Sequence, residues 1–355
     1  MSYLRNSWYV AAWSKDIAAD IVVRTIIEQP VVMYRKSDGA IVALEDRCAH
    51  RQVPLSRGRI VGDLIECGYH GLQFDASGAC VRIPAQDTIP TRACVKSYPV
   101  VERHGWVWLW MGEAARATPA TVPDFHRLDD PAFAATGDTN EIAANYELVN
   151  DNLLDLSHVG YVHGSTIGND EFGWKGKITT ERTEKGIRVT RWAIDCPPPP
   201  TYCKTGAFKP EDRIDRWAII DYEAPSFINI HVGGVLTGTG GPEGRRVGGI
   251  GMWVMNAMTP ISPTSTSYFW AVGRDFAADN ENLTKLMHRE VATAFDQDKE
   301  ILKCQQESIS RSGETMTIDI AADAGGRQAR RLLRQLIAAE ADTRNDLPAR
   351  IASQL

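Results

Sequence analysis

Several things this chain lacks narrow its reading. No apolar run approaches the roughly 20 residues that a membrane-spanning helix needs, so no membrane span is expected. The start, Met-Ser-Tyr-Leu-Arg-Asn, has no charged segment leading into an apolar one, which predicts no export signal and a cytoplasmic location. Positive charge is not in surplus: 39 Lys and Arg face 45 Asp and Glu, for a formal net charge of -6. That excludes the broad basic face of a nucleic-acid-binding protein. Cysteines number only 7, an odd count scattered along 355 residues, which fits free thiols and a few metal ligands better than a disulfide framework. No Gly-x-Gly-x-x-Gly opens a helix after a strand, so no dinucleotide site is expected. Internal repeats and low-complexity tracts are also missing.

What is present suits a folded enzyme. Hydrophobic residues make up 43% and charged residues 24%, enough for a packed core, and the length favours two domains. Trp8–Trp13, Thr25–Ile27, Val31–Tyr34, Ala40–Leu44 and Trp106–Trp110 carry the β-branched and aromatic enrichment of strands. Ser77-Gly78 marks a hairpin. Residues up to about 115 therefore read as all-β. The Ala-, Thr- and Pro-rich stretch Ala114–Pro123 is the expected boundary, dividing the chain into 1–115 and 116–355. Asn145–Val159 reads as a helix capped by Asn145, residues 176–275 return to strands, and Asn282–Ser310 and Arg327–Glu340 read as late helices. Gly233–Gly249 is glycine-dense and suits either a mobile lid or a plain solvated loop.

Cys48-Ala49-His50 and Cys67-Gly68-Tyr69-His70 each supply one thiolate and one imidazole. On facing loops they can hold a [2Fe–2S] cluster, with Cys48 and Cys67 on one iron and His50 and His70 on the other. Two neutral imidazoles in place of two thiolates raise the potential into the Rieske range. Two Cys and two His could also hold structural zinc, but a Cys-x-His piece with a single intervening residue is unusual for zinc. The other cysteines, Cys80, Cys94, Cys196, Cys203 and Cys304, have no partner at ligand spacing.

A cluster needs an electron acceptor. Asn152, Asp155 and His158 recur every three residues on the expected helix, among Leu153, Leu154 and Leu156, so their polar stripe should be buried and paired or metal-bound. Gly160 would let His163 swing back toward His158. Two His and one carboxylate form the facial triad of non-haem Fe(II) oxygenases, and the missing carboxylate is sought in Phe295-Asp296-Gln297-Asp298-Lys299.

The ordered set Cys48-x-His50, Cys67-x-x-His70, Asp155-x-x-His158-x4-His163 and Phe295-x-x-Asp298 resembles the terminal oxygenase of Rieske non-haem iron oxygenases along nearly the whole chain. Asn6-Ser7-Trp8-Tyr9-Val10, Tyr69-His70-Gly71-Leu72, Ser97–Arg103 and Asn152–Leu156 resemble the branch of vanillate O-demethylase, dicamba monooxygenase and methyl-hydroxylating oxygenases. The resemblance implies an α+β protein: an N-terminal all-β Rieske domain, then a helix-grip catalytic domain of antiparallel sheet plus helices. It implies a [2Fe–2S] cluster and a mononuclear Fe(II) held by His158, His163 and Asp298, with Asp296 on the helix surface. It further implies a homotrimer in which Asp155 bridges His70 of one subunit to His158 of the next, with Asn152 close to the iron. The alternative for Asp155 is an orienter of His158 within one chain.

The activity so implied is O2-dependent oxidation of a methyl or alkyl carbon on a small aromatic substrate, fed by a separate ferredoxin or flavin reductase. O-demethylation is the expectation, with N-dealkylation or methyl hydroxylation as alternatives and a pure Rieske electron carrier or a zinc-stabilised interaction protein as the rival classes. Walls are expected from Phe227–Val232, Met252–Met258, Phe269–Trp270 and the helix face before Asp298. Ile230, Asn256 and Arg289 are the candidates for contact with the substrate; Arg289 could hold a carboxylate and Ile230 could not, so acidic and neutral aromatics both stay open. Arg47, Arg51, Arg57 and Arg59 surround the cluster loops, where they could steer an acidic electron carrier.

Overall fold

The computed structural model describes residues 3–18, 20–84, 86–313 and 318–352. It divides into two compact units. One comprises Ser2–Val122 with Thr259–Ser262, the other Pro123–Met258 with Pro263–Leu355.

The first unit is all-β apart from short helical turns. Its strands are β1 (Trp8–Trp13), β2 (Val22–Ile26), β3 (Gln29–Arg35), β4 (Ile41–Glu45), β5 (Arg59–Val61), β6 (Leu64–Glu66), β7 (Gln73–Phe74), β8 (Cys80–Arg82), β9 (Val100–Arg103) and β10 (Trp106–Trp110). They form three sheets, ordered β1-β10-β9, β2-β3-β4 and β5-β6-β7-β8. Pairing is antiparallel throughout. The core includes Val32, Tyr34, Leu44, Ile65 and Phe74, and both Cys48 and Cys67 are buried within it. The expected Ser77-Gly78 hairpin is present, tied by the Asp75 carboxylate to the Ser77 amide at 2.9 Å.

The second unit is built on a seven-stranded sheet. Its strands are β11 (Ala134–Ile142), β12 (Lys177–Arg182), β13 (Gly186–Cys196), β14 (Ile214–Glu223), β15 (Phe227–Leu236), β16 (Ile250–Ser262) and β17 (Ser265–Arg274), in the order β11-β17-β16-β15-β14-β13-β12. Helices α1 (Tyr146–Leu154), α2 (Val159–Val162), α3 (Asp170–Lys175), α4 (Pro200–Lys204), α5 (Glu281–Ser312) and α6 (Ala324–Ala352) complete it. Helix α5 starts where the Asn280 side chain accepts from the Leu283 amide at 3.0 Å and stops at Gly313, whose φ of 73° suits a residue without Cβ. Leu283, Met287, Val291, Ala294, Phe295 and Leu302 recur at helical spacing and are buried. Phe295 meets Tyr268 and Trp270 of β17 edge-on, at ring-centroid distances of 5.1 and 5.3 Å. The α+β class, with a β Rieske region followed by antiparallel sheet and helices, is as expected.

Two local expectations change. The helix beginning at Asn145 ends at Leu154, not Val159, because Asp155 is extended (φ −117°, ψ 99°) and caps a separate turn over Leu156–His158. Gly233 and Gly234 lie within β15, and only the later glycines form a loop. A Cβ on Gly233 would sit 2.1 Å from the Trp217 ring, so close packing requires that glycine.

Candidate metal centres

The two Cys/His loops have the same backbone design. Cys48 N–H donates to Val53 O at 2.9 Å while its carbonyl accepts from Gln52 N at 3.0 Å; Cys67 N–H donates to Leu72 O at 2.8 Å while its carbonyl accepts from Gly71 N at 3.0 Å. The fourth residue after each cysteine turns the chain through positive φ, 58° at Gln52 and 70° at Gly71. The loops touch through backbone, since a Cβ on Gly58 would lie 1.8 Å from Glu66 O and one on Gly68 2.4 Å from Arg57 O. Both sulfurs are thus in the core, and both imidazoles are exposed with ring centroids 4.6 Å apart. Burial pushes the Cys48 thiol up to about 11. A paired, buried, softly ligating set of this kind fits a cluster: the metal compensates the desolvated thiolates, and the imidazoles reach the surface.

The second centre joins three segments. His158 follows the break at Asp155, His163 follows α2, and Asp298 faces inward from α5. Asp298 Oδ1 lies 3.1 Å from His163 Nε2 and 3.5 Å from His158 Nε2, and the three ligating atoms lie within 4.8 Å of one another. Each imidazole is pinned from behind. His158 Nδ1–H donates to the Asp155 carbonyl at 2.6 Å, and His163 Nδ1–H donates to Gln297 Oε1 at 2.8 Å. With Nδ1 protonated in the neutral ring, both Nε2 lone pairs face the carboxylate. Two imidazole nitrogens and a carboxylate oxygen turned toward one point make a donor set that fits a divalent metal. Burial pushes the His158 pKa down. At His163 burial acts the same way but is outweighed by the Asp298 carboxylate, and the net shift is upward.

Asn152 Nδ2 donates to Asp298 Oδ1 at 3.0 Å, which puts it beside the triad. Asp296 is exposed and Asp298 buried. The Asp155 carboxylate instead binds the Ser157 amide and hydroxyl, both at 2.8 Å, so within this chain only its backbone carbonyl orients His158.

The triad opens onto an apolar cavity of about 80 Å3. Ile230 and Val232 of β15, Met252 and Val254 of β16 and Val272 of β17 wall it on the sheet side, with Met287, Val291, Ala294 and Phe295 of α5 opposite. Of the candidates for substrate contact, Ile230 lines the cavity. Asn256 and Arg289 are not among its lining residues. Asn256 is fully buried and spends its amide on Ile228 O, Val254 O and the Tyr268 hydroxyl, at 3.0, 3.1 and 2.6 Å. Arg289 is two residues from Met287, about 200° around the helix, and is exposed. Phe269 and Trp270 are likewise not among the wall residues; Val272 represents β17 there. Sequence reasoning passed over Gln297 and Arg216. The signal for Arg216 was a charged pair, Asp215-Arg216, followed by the apolar run Trp217–Ile220 within one strand.

A chain that pairs Rieske-type loops with a two-His, one-carboxylate centre defines a class, the terminal oxygenases that couple a cluster to a mononuclear iron. Comparisons agree. Residues 7–99 match the Rieske [2Fe-2S] domain and residues 142–339 the vanillate O-demethylase oxygenase C-terminal domain. The chain is 40% identical to the toluene-4-sulfonate monooxygenase iron-sulfur subunit TsaM1 of Comamonas testosteroni, over 95% of this chain and 98% of the relative. It is 33% identical to a vanillate O-demethylase oxygenase subunit of a Pseudomonas species, over 95% of each. The crystal structure of dicamba monooxygenase bound to 3,6-dichlorosalicylic acid superposes with a TM-score of 0.89 at 28% identity, covering 96% of this chain and 99% of that one. A further structure of that enzyme contains non-haem iron.

The chain therefore belongs to the vanillate O-demethylase oxygenase family of Rieske non-haem iron oxygenases. It is an oxidoreductase, the terminal oxygenase component of a multi-component monooxygenase and not an electron carrier alone. Its cofactors are a Rieske [2Fe–2S] cluster and a mononuclear iron. No helix among the described residues is long and apolar enough to cross a membrane.

Proposed function

We propose that this oxygenase removes a methyl group from a substituted aromatic compound by O2-dependent oxidative O-demethylation in the cytoplasm. Cys48, Cys67, His50 and His70 hold the cluster, and His158, His163 and Asp298 hold the iron. The cluster supplies electrons and the iron supplies oxygen activation. The net reaction consumes O2, two electrons and two protons; one oxygen atom enters the C–H bond of the methyl carbon and the other leaves as water. The hydroxylated carbon is a hemiacetal, which collapses to a phenol and formaldehyde.

This chain's residues supply the setting. Asp155 O and Gln297 fix the tautomers and directions of the two imidazoles. Asn152 holds Asp298 in place. The apolar walls from Ile230 to Phe295 exclude water and favour an aromatic guest. The observation that carries the reading is the convergence of His158, His163 and Asp298 on one enclosed apolar cavity, in a chain that also has the Cys/His loops.

Electrons come from a separate ferredoxin or flavin reductase. The working assembly is a homotrimer in which the Asp155 carboxylate, half-exposed here, links His70 of a neighbouring subunit to His158. Hydroxylation of an aryl methyl group with the carbon retained is the second reading. It is favoured by the higher identity to a toluene-4-sulfonate monooxygenase subunit, 40% against 33% for the vanillate enzyme. A reductase-coupled screen of aryl methyl ethers, N-alkyl anilides and methylarenes tests the two. Formaldehyde with a phenol product supports demethylation; a product that keeps its carbon and gains one oxygen replaces it with the second reading.

A further inference from the structure

The segment that carries both imidazoles is irregular. Between Asp155 and Gly176 it holds a single turn and the short helices α2 and α3. Such short pieces leave many carbonyls without partners of their own, and the buried ones must find donors elsewhere. Two of those donors are arginines of the sheet. Arg191 of β13 is 3% exposed and Arg216 of β14 is 4% exposed. Strand register sets Arg191 opposite Ala218 and Arg216 opposite Ala193. Both side chains therefore leave the same face of the sheet, with a small neighbour across from each.

Arg191 Nη1 donates to Phe172 O at 2.9 Å, Gly173 O at 3.0 Å and Leu156 O at 3.4 Å. The first two carbonyls lie near the C-terminal end of α3, where a cation is favoured. The third opens the turn Leu156–His158, and the peptide before it presents the Asp155 carbonyl that takes His158 Nδ1–H at 2.6 Å. Helix α3 lies close against that turn, since a Cβ on Gly173 would sit 3.1 Å from Ser157 O. Arg216 works on the His163 side. Its Nη2 donates to Ile167 O at 2.8 Å, and the residues flanking Ile167, Thr166 and Gly168, both donate their amides to His163 O at 2.9 Å. Both guanidiniums also lie over the Phe172 ring, 5.4 Å from its centre for Arg191 and 4.0 Å for Arg216. Burying a cation is costly. Burial lowers the Arg191 pKa, the Asp155 carboxylate opposes that shift and the Arg216 charge adds to it. What the guanidinium offers at that cost is a rigid planar set of donors that ties separate turns together in one geometry. The chain also leaves room for it: a Cβ on Gly176 would sit 2.8 Å from Arg191 Cγ and 3.1 Å from its Cδ.

We propose that Arg191 and Arg216 are positioning residues of the iron centre: they grip carbonyls of the segment Leu156–Gly173 and so fix where His158 and His163 aim their Nε2 atoms. They act through the backbone and not on the substrate. Arg191 has the larger share, because it joins the turn before His158 to α3, whereas Arg216 holds one carbonyl. The inference rests on the assignment of His158, His163 and Asp298 to the iron, and adds to it what holds the first two in place.

The test is anaerobic Fe(II) titration of the full chain with its cluster in place and the mononuclear iron removed. Electron paramagnetic resonance of the nitric oxide adduct of the reloaded protein then reports the symmetry of the iron site. Arg191→Met is expected to lower iron affinity about 10- to 100-fold, the range for partners that orient metal ligands. It should also change the rhombicity of the nitric oxide signal and leave the visible cluster spectrum as it was. Arg191→Lys should retain part of the affinity, and Arg216→Met should lose about 10-fold. Gly176→Ala is a second route to the same contact, at a φ of −70° that any residue accepts. By crowding the arginine stem it should weaken iron binding in the wild type and add nothing further in the Arg191→Met background. A merely structural arginine would lower the unfolding temperature and leave iron affinity and the nitric oxide signal at wild type in the folded variant, and that result overturns the proposal. Should Arg191→Met fail to fold, wild-type affinity and signal in both Arg191→Lys and Gly176→Ala overturn it instead. Iron uptake by the wild type that His158→Ala leaves unchanged would be a different failure, removing the assignment of the triad and the proposal with it.

Discussion

In the Rieske loops, Cys48 and His50 are separated by one residue and Cys67 and His70 by two, and each pair sits on one self-contained turn with its own backbone hydrogen bonds. The iron centre draws His158 and His163 from one irregular stretch, but its carboxylate comes from a helix 135 residues further on. The first site is local and the second depends on the packing of α5 against the sheet. A local site can be read from spacing, and losing it need not disturb the rest. A site assembled from distant elements has its geometry set by residues that carry no ligand atom.

Single ligand losses should separate the two centres completely. Cys48→Ser removes a thiolate from the cluster and is expected to give a protein without the Rieske visible spectrum. His158→Ala is expected to abolish oxygenation, leave iron occupancy at background, and keep that spectrum intact. Metal analysis beside an absorption spectrum reads both. A colourless His158→Ala protein would mean that the two sites do not stand apart.

Asp155 tests whether the centres cooperate between subunits. Among the described residues its carboxylate hydrogen-bonds only to Ser157, at 2.8 Å, and the backbone carbonyl does the work of orienting His158. Asparagine keeps an acceptor for the Ser157 amide, so Asp155→Asn should load both metals. If the carboxylate links neighbouring subunits, cluster reoxidation by O2 should slow by on the order of 100-fold, the upper range for outer ligand partners. Stopped-flow absorbance of the pre-reduced protein measures it, and reoxidation at the wild-type rate would discard the bridge.

The two Cys/His pieces and the order of the elements were legible because those features are local: aromatic and β-branched runs, a turn dipeptide, two short pieces with ligand spacing. The choice of Asp298 over Asp296 came from the family resemblance, and the two residues differ in exposure as their places on the helix dictate. The sequence misplaced the end of the helix before His158, because an apolar three-residue spacing continues past Asp155 although the backbone does not. Asn256 and Arg289 misled for a different reason. Whether a polar residue faces a cavity depends on which neighbours satisfy it, and Asn256 is satisfied by Tyr268, a contact fixed only when β16 and β17 pair. Gln297 escaped for the same cause: it belongs to no spacing pattern, and it acquires its role from His163, far away in the chain.

Gln297 gives a smaller effect on the assembled site. It holds His163 Nδ1 at 2.8 Å, and without it the ring loses its fixed tautomer. Gln297→Leu should lower iron affinity about 10- to 100-fold, as the loss of such supporting bonds does at other metal centres. Competition with a chelator, followed by iron content, reads the change. The cluster spectrum should be unaffected, and iron retention equal to the wild type would show that packing alone directs His163.

The smallest expected effect belongs to the local site. Of the four arginines around the cluster loops, Arg47 pairs with Glu45 at 2.8 Å and Arg59 with Glu66 at 2.7 Å. Arg51 and Arg57 are exposed, with no ion pair among the described residues. Unpaired charges beside an exposed pair of imidazoles are suited to steer an acidic electron carrier, an effect on encounter rate that fades as salt screens it. Arg51→Glu or Arg57→Glu should therefore slow cluster reduction by about 10-fold at low ionic strength, and much less at 1 M salt, where the screening length falls to about 3 Å. The cluster, the iron and the cavity should all stay intact. Reduction rates that match the wild type at low salt would assign the docking surface to another face, and a loss that persists at high salt would point to a direct contact in place of steering.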